Sequence, residues 1–104
     1  MSSTTQPSNK PRVLVFDSGV GGLSVAREIQ RHLPGLPLVY ASDNGFFPYG
    51  TKGEIELIAR VDRVIRRLLE RYPVDILVIA CNTASTLTLP HLRSQLRLPI
   101  VGVV

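Results

Sequence analysis

The chain has 104 residues, enough for one domain with a single core and too few for two. Its 44% hydrophobic against 19% charged residues is the balance of an ordinary soluble globular domain, and a net charge of +4 makes nucleic acid the first partner class to test. A single cysteine excludes an internal disulfide framework and any multi-cysteine metal site, which fits a reducing compartment and a cytoplasmic protein.

Residues 1–11 are rich in Ser, Thr, Pro and Gln and lack an apolar stretch. They read as a disordered leader, neither signal peptide nor membrane span, ahead of a domain over residues 12–104. Arg12–Phe16 is a continuous apolar run, the pattern of a strand buried on both faces. The Gly-rich turn Asp17-Ser18-Gly19-Val20-Gly21-Gly22 leads into a helix over Leu23–Leu33, which Pro34-Gly35 stops. Leu36–Ala41 is a second strand, followed by a long loop, Ser42–Gly50, holding Asp43, Asn44, two Phe residues, Pro48 and Tyr49. Thr51 with Glu54 matches a capping box for a helix reaching about Tyr72, and Pro73 ends it.

Within that helix Arg60, Arg63, Arg67 and Arg71 recur at helical spacing, opposite Leu57, Ile58, Val61, Val64, Ile65, Leu68 and Leu69. This is the solvated side of an amphipathic helix. Without interleaved aromatic residues to stack on bases, no nucleic-acid partner is expected. Ile76–Ala80 is a third strand, and a third helix runs from about Thr83 to Leu96, interrupted or re-angled at Pro90. Ile100–Val104 is a fourth strand. No apolar stretch is long enough to cross a bilayer, so no membrane partner is expected either. Alternation of strands and helices with short connections predicts the α/β class: an open parallel sheet of right-handed βαβ units with flanking helices. The sequence ends in an apolar strand with no polar tail. The expectation is that residues 12–104 are the first part of a longer polypeptide, a domain cut short.

In such a sheet the loops after each strand gather on one edge, where ligands bind. The first loop has clustered glycines but lacks the third glycine of a dinucleotide fingerprint and the Gly-Lys-Ser/Thr of a P-loop. Asp17 would repel a phosphate there, and helix capping by Asp17 and Ser18 is as good a reading as a functional one. Phe46, Phe47 and Tyr49 wall a pocket or form a satellite apolar cluster, while Gly50 frees its amide for close approach. Cys81 sits where the third strand turns into the third helix. The helix N-terminus favours a thiolate there, and Asn82-Thr83 add donors for a small anion such as a carboxylate. By position alone, a lone Cys after an apolar run is more often a small buried hydrophobe than a nucleophile or base. His32 and His91 read as surface or helix-end residues, not as partners of Cys81.

Three strings, Phe16-Asp17-Ser18-Gly19-Val20-Gly21-Gly22-Leu23-Ser24-Val25, Pro48-Tyr49-Gly50 and Ala80-Cys81-Asn82-Thr83-Ala84-Ser85, together resemble the glutamate racemase family, within the cofactor-independent aspartate/glutamate racemase superfamily. The resemblance runs from about Arg12 to Val104. It implies two pseudo-symmetric α/β halves, of which this chain is the first, and a pair of cysteines that move the α-proton of glutamate on opposite faces. Cys81 matches the first-half cysteine, and Asp17 resembles the acidic residue that assists it and touches the substrate. Ser18, Tyr49, Gly50, Asn82 and Thr83 match positions that hold the substrate's carboxylate and ammonium groups. The family's second half, with its Cys-Thr-His string, has no counterpart here, so the residues present amount to half an active site. No cofactor and no metal are implied. The resemblance leaves room for a homo-oligomer and for a cell-wall-precursor activator, and the family's role is to supply D-glutamate for peptidoglycan. A racemase of aspartate or another small amino acid, and a non-catalytic fragment binding a small acid or nucleotide, remain the alternative readings.

Overall fold

The computed structural model describes residues 11–17, 22–43, 53–80 and 82–103, the side chains of 82–85 excepted. Residues 1–10 of the expected leader, most of the Gly-rich turn and the loop from Asn44 lie outside the described residues. Among those described, four strands form one sheet: β1 (Val13–Asp17), β2 (Leu38–Ser42), β3 (Ile76–Ile79) and β4 (Ile100–Gly102). Every pairing is parallel and the order is β2-β1-β3-β4. Three helices connect them, α1 (Gly22–His32), α2 (Glu54–Arg71) and α3 (Asn82–Gln95). This is the α/β architecture expected from the alternation of apolar runs.

The central position of β1 explains its composition. All five of its residues are buried, because neighbours flank it on both sides and helices cover both faces. Leu14 and Phe16 point with Leu77 and Ile79 into a core closed by Leu57, Val61 and Ile65 of α2 and Leu92 of α3. Val13, Val15 and Val78 point the other way, toward Ala26 of α1. Removing a side chain such as Leu57 from this packing costs about 2–5 kcal/mol.

Strand order positions the site. From β1 the chain steps to one side to form β2, then returns across β1 to form β3. Right-handed crossovers therefore put α1 on one face and α2 with α3 on the other. The helices that follow β1 and β3 thus lie on opposite faces, and such a switch point is where open α/β sheets bind ligands.

Three sequence expectations change. The helix expected from a Thr51–Glu54 capping box starts at Glu54, preceded by Gly53 in an extended conformation (φ −68°, ψ 153°) with no side-chain cap. Glu54 is thus the first helical residue, where its charge and that of Glu56 complement the helix dipole. Pro90 does not interrupt α3. It lacks one amide donor, but Leu92 is fully buried and the Leu96 amide closes the next turn on the Leu92 carbonyl at 2.8 Å, so packing outweighs the missing bond. Finally, β2 begins at Leu38 instead of Leu36, where Pro37 contributes only a carbonyl, accepting from the Val13 amide at 2.9 Å.

Candidate functional site

Asp17 ends β1 and is 3% exposed. Its Oδ2 accepts a hydrogen bond from the Gly22 amide at 2.5 Å, the first residue of α1. The capping reading of Asp17 is therefore correct as geometry: a carboxylate satisfies an orphan amide at the positive end of a helix. It also fixes that carboxylate at the carboxyl end of β1, beside the switch point of the sheet. A Cβ on Gly22 would lie 2.6 Å from the Asp17 Cβ and 2.9 Å from its Cγ, so only glycine permits this approach.

The strand beside it leads into Cys81. Phe16 is in register with Ile79, and the Ala80 amide donates to the Phe16 carbonyl at 2.8 Å. Cys81, the next residue, lies outside the described residues, as do Ser18, Tyr49 and Gly50. Asn82 and Thr83 form the first turn of α3, one residue ahead of the expected start, so the helix N-terminus falls where an anion site was expected.

Two side chains at this edge were missed as site components. On β2, Tyr40 pairs in register with Val15, and Ser42 pairs with Asp17. The Tyr40 phenol is hydrogen-bonded to both Asp17 and Ser42. Burial, and then the negative charge of Asp17, push its ionisation above the ordinary tyrosine value, while the Ser42 bond pulls the other way. A tyrosine in a strand of apolar residues reads as core. Its position two residues before Ser42, the cross-strand neighbour of Asp17, was the available signal.

Arg60 is the second. The sequence put it on the solvated stripe, but its guanidinium grips Asp43 through Nε at 2.9 Å and a terminal nitrogen at 2.8 Å. Asp43, the residue after β2, is 8% exposed, and its own amide bonds to the Asp17 carbonyl at 2.9 Å. Arg60 shares its helical row with half-buried Val64 and Leu68, whereas Arg63, Arg67 and Arg71 are exposed. That row was the legible clue.

The histidines do not reach this edge. His32 is an exposed helix-end residue, as expected, with Nδ1 2.9 Å from the Glu28 carbonyl. His91 is not simply a surface residue: half-buried, it pairs with Asp62 at 3.0 Å and ties α3 to α2. Arg66 donates to the same carboxylate at 3.0 and 3.1 Å. Burial opposes ionisation of Asp62, but the hydrogen bonds from Arg66 and His91 win and hold its carboxyl below the usual aspartate value. No described helix is long and apolar enough to cross a membrane.

Comparison with known proteins points one way. A glutamate racemase of Vibrio cholerae is 57% identical over 94 residues, covering 90% of this chain and 36% of that protein. The Salmonella typhimurium glutamate racemase is 53% identical over 102 residues, again 36% of its own length. Among solved structures, the Escherichia coli glutamate racemase in complex with L-glutamate and the activator UDP-MurNAc-Ala superposes with a TM-score of 0.87 at 55% identity, over 91% of this chain and 36% of that one. Its Thermus thermophilus counterpart, bound to beta-chloro-D-alanine, gives a TM-score of 0.81 at 41% identity, over 94% of this chain and 38% of that one. The chain thus spans a little over a third of the length of these relatives, at 36–38%. No family model matches.

Proposed function

We propose that this chain is the first α/β domain of a glutamate racemase of the cofactor-independent aspartate/glutamate superfamily, interconverting L- and D-glutamate in the cytoplasm to supply peptidoglycan synthesis. The observation that carries the reading is the pairing of two strand ends. Ala80 bonds to Phe16, so the strand leading into Cys81 runs directly beside the one ending in Asp17, at the switch point of the sheet. The similarity to glutamate racemases over about nine-tenths of the chain supports the substrate.

In this reading the Cys81 thiolate takes the α-proton of glutamate from one face. The electron pair left on Cα delocalises into the substrate carboxylate, and an acid on the opposite face returns a proton to give the other enantiomer. Cys81 ends the half-reaction as a thiol, and the reverse direction exchanges the roles. Asp17 assists proton transfer at that thiol. Ser18, Tyr49, Gly50, Asn82 and Thr83 hold the carboxylate and ammonium groups, with the α3 N-terminus favouring both the thiolate and the bound carboxylate. Holding the α-carbon between two positioned groups supplies the orientation that so weak a carbon acid requires. The sequence has one cysteine, so the opposing acid comes from outside these residues. An activator resembling UDP-MurNAc-Ala, the compound bound by the Escherichia coli protein, belongs to the same proposal.

Incubation of the intact protein with L-glutamate in D2O, followed by NMR of the α-proton, tests it. Exchange with formation of D-glutamate is expected, with none from L-aspartate. Cys81→Ser should lower racemisation by about 10³-fold, in the range for losing an acid/base group. Racemisation by Cys81→Ser at the unmodified rate would remove Cys81 from the mechanism.

A further inference from the structure

Asp17 and Tyr40 lie on the same face of the sheet. Val13 and Val15 pack with Leu38 and Tyr40 in the apolar layer under α1, and alternation along each strand puts Asp17 and Ser42 on that layer at its carboxyl edge. The four residues Val15, Asp17, Tyr40 and Ser42 make a two-by-two patch, apolar toward the sheet's middle and polar at its rim. Within it the phenol bonds to both polar neighbours. A carboxylate only accepts, so Tyr40 donates its single O–H to Asp17, and its oxygen accepts from the Ser42 hydroxyl.

We propose that Tyr40 is a positioning residue for the Asp17 carboxylate: the chain Ser42 to Tyr40 to Asp17, together with the Gly22 amide, locks Asp17 in the orientation from which it serves Cys81. Donors from two different elements, α1 and β2, fix the position and the rotation of a side chain with two rotatable bonds. The effects on Tyr40 ionisation follow the same directions. The bond to Asp17 favours the neutral phenol and the bond from Ser42 favours the phenolate, as a donor to the first and an acceptor from the second must. Bulk alone does not account for the hydroxyl, since phenylalanine would fill the apolar layer equally well. The inference rests on the racemase reading for what Asp17 does, but not for the hydrogen-bond chain itself.

Two readouts in the intact protein test it. In the glutamate exchange assay, Tyr40→Phe should lower kcat by about tenfold to 100-fold with KM changed less than about twofold, because misplacing one assisting group by a fraction of an ångström affects the transition state more than binding. Ser42→Ala, which leaves the phenol donating, should lower kcat less. Independently of activity, carbon-13 NMR of tyrosine labelled at Cζ follows the Tyr40 ionisation, its signal identified by its loss in Tyr40→Phe. Asp17→Asn should bring that ionisation down toward the ordinary tyrosine value. Unchanged kcat in a folded Tyr40→Phe overturns the positioning role, and a Tyr40 ionisation indifferent to Asp17→Asn overturns the hydrogen-bond chain. If the unmodified protein leaves glutamate unexchanged while Asp17→Asn still moves the Tyr40 signal, the hydrogen-bond chain stands and the racemase reading alone falls.

Discussion

Gly22→Ala isolates the contact that holds the Asp17 side chain against the start of α1. The added Cβ would lie 2.6 Å from the Asp17 Cβ and 3.0 Å from Oδ2. Carbon atoms in contact sit about 3.5–4.0 Å apart, so the approach is short by about 1 Å. Asp17 cannot retreat, because β1 is buried between β2 and β3. Either α1 shifts outward or the carboxylate rotates, and both break the 2.5 Å bond from the Gly22 amide. Overpacking of this kind costs about 1–3 kcal/mol. Alanine returns about 0.4–1 kcal/mol by narrowing the unfolded ensemble, since Gly22 does not occupy the left-handed region that alanine would resist. The net expectation is a loss of about 1–2 kcal/mol, read as a lower urea midpoint with an unchanged slope by circular dichroism. The decisive comparison puts Gly22→Ala into Asp17→Gly, where the facing Cβ is gone. There the added loss should fall below about 0.5 kcal/mol, the limit within which independent sites add. An equal loss in both backgrounds would refute the contact as its source.

Replacing Arg60 by Met leaves Asp43, whose side chain is 7% exposed, without its bidentate partner. Breaking a buried pair costs about 3–5 kcal/mol, and the one-third exposure of Arg60 moves the expectation to about 2–3 kcal/mol, measured by urea unfolding. A loss near zero would mean the pair is no stronger than a surface contact. Asp62 sets an acid limit. Because its folded carboxyl ionises below its usual value, the stability it contributes is complete above the unfolded value of about 4 and is lost as the pH falls through the lower, folded value. The melting-temperature advantage of the unmodified protein over Asp62→Asn should therefore be constant from about pH 5 to 6 and shrink below about pH 4. An advantage undiminished at pH 2 contradicts the assignment.

Local pattern carried the fold, and distance in sequence hid the site's supports. Five consecutive buried residues in β1 and the 57-61-65 row of α2 are read from neighbours a few positions apart, so strand, helix and layer assignments follow directly. Asp17 and the start of α3 were legible because a strand end and a helix start are local events. Arg60 and Tyr40 were not, since their roles depend on partners 17 and 23 positions away, across a sheet whose strand order no local pattern specifies. The capping box failed for a related reason: Thr51 and Glu54 have the right spacing, but the helix begins three residues after Thr51.

Those hidden partners divide two neighbouring carboxylates between two jobs. Asp17 and Asp43 end adjacent stretches of chain, are both buried, and are linked through the amide of one and the carbonyl of the other. They face opposite sides of the sheet. Asp43 turns toward α2, where a guanidinium takes both its oxygens and fixes it as an ion pair. Asp17 turns toward α1, where the donors described for it, the Gly22 amide and the Tyr40 phenol, are neutral. A neutral donor orients a carboxylate without cancelling its charge, whereas a bidentate cation does both. Environment thus gives paired acids separate roles. Asp17 stands at the strand end beside the approach to Cys81, where the proposed chemistry needs a group to assist a moving proton. The other, clamped by Arg60, holds the start of the loop that leads to Tyr49 and Gly50.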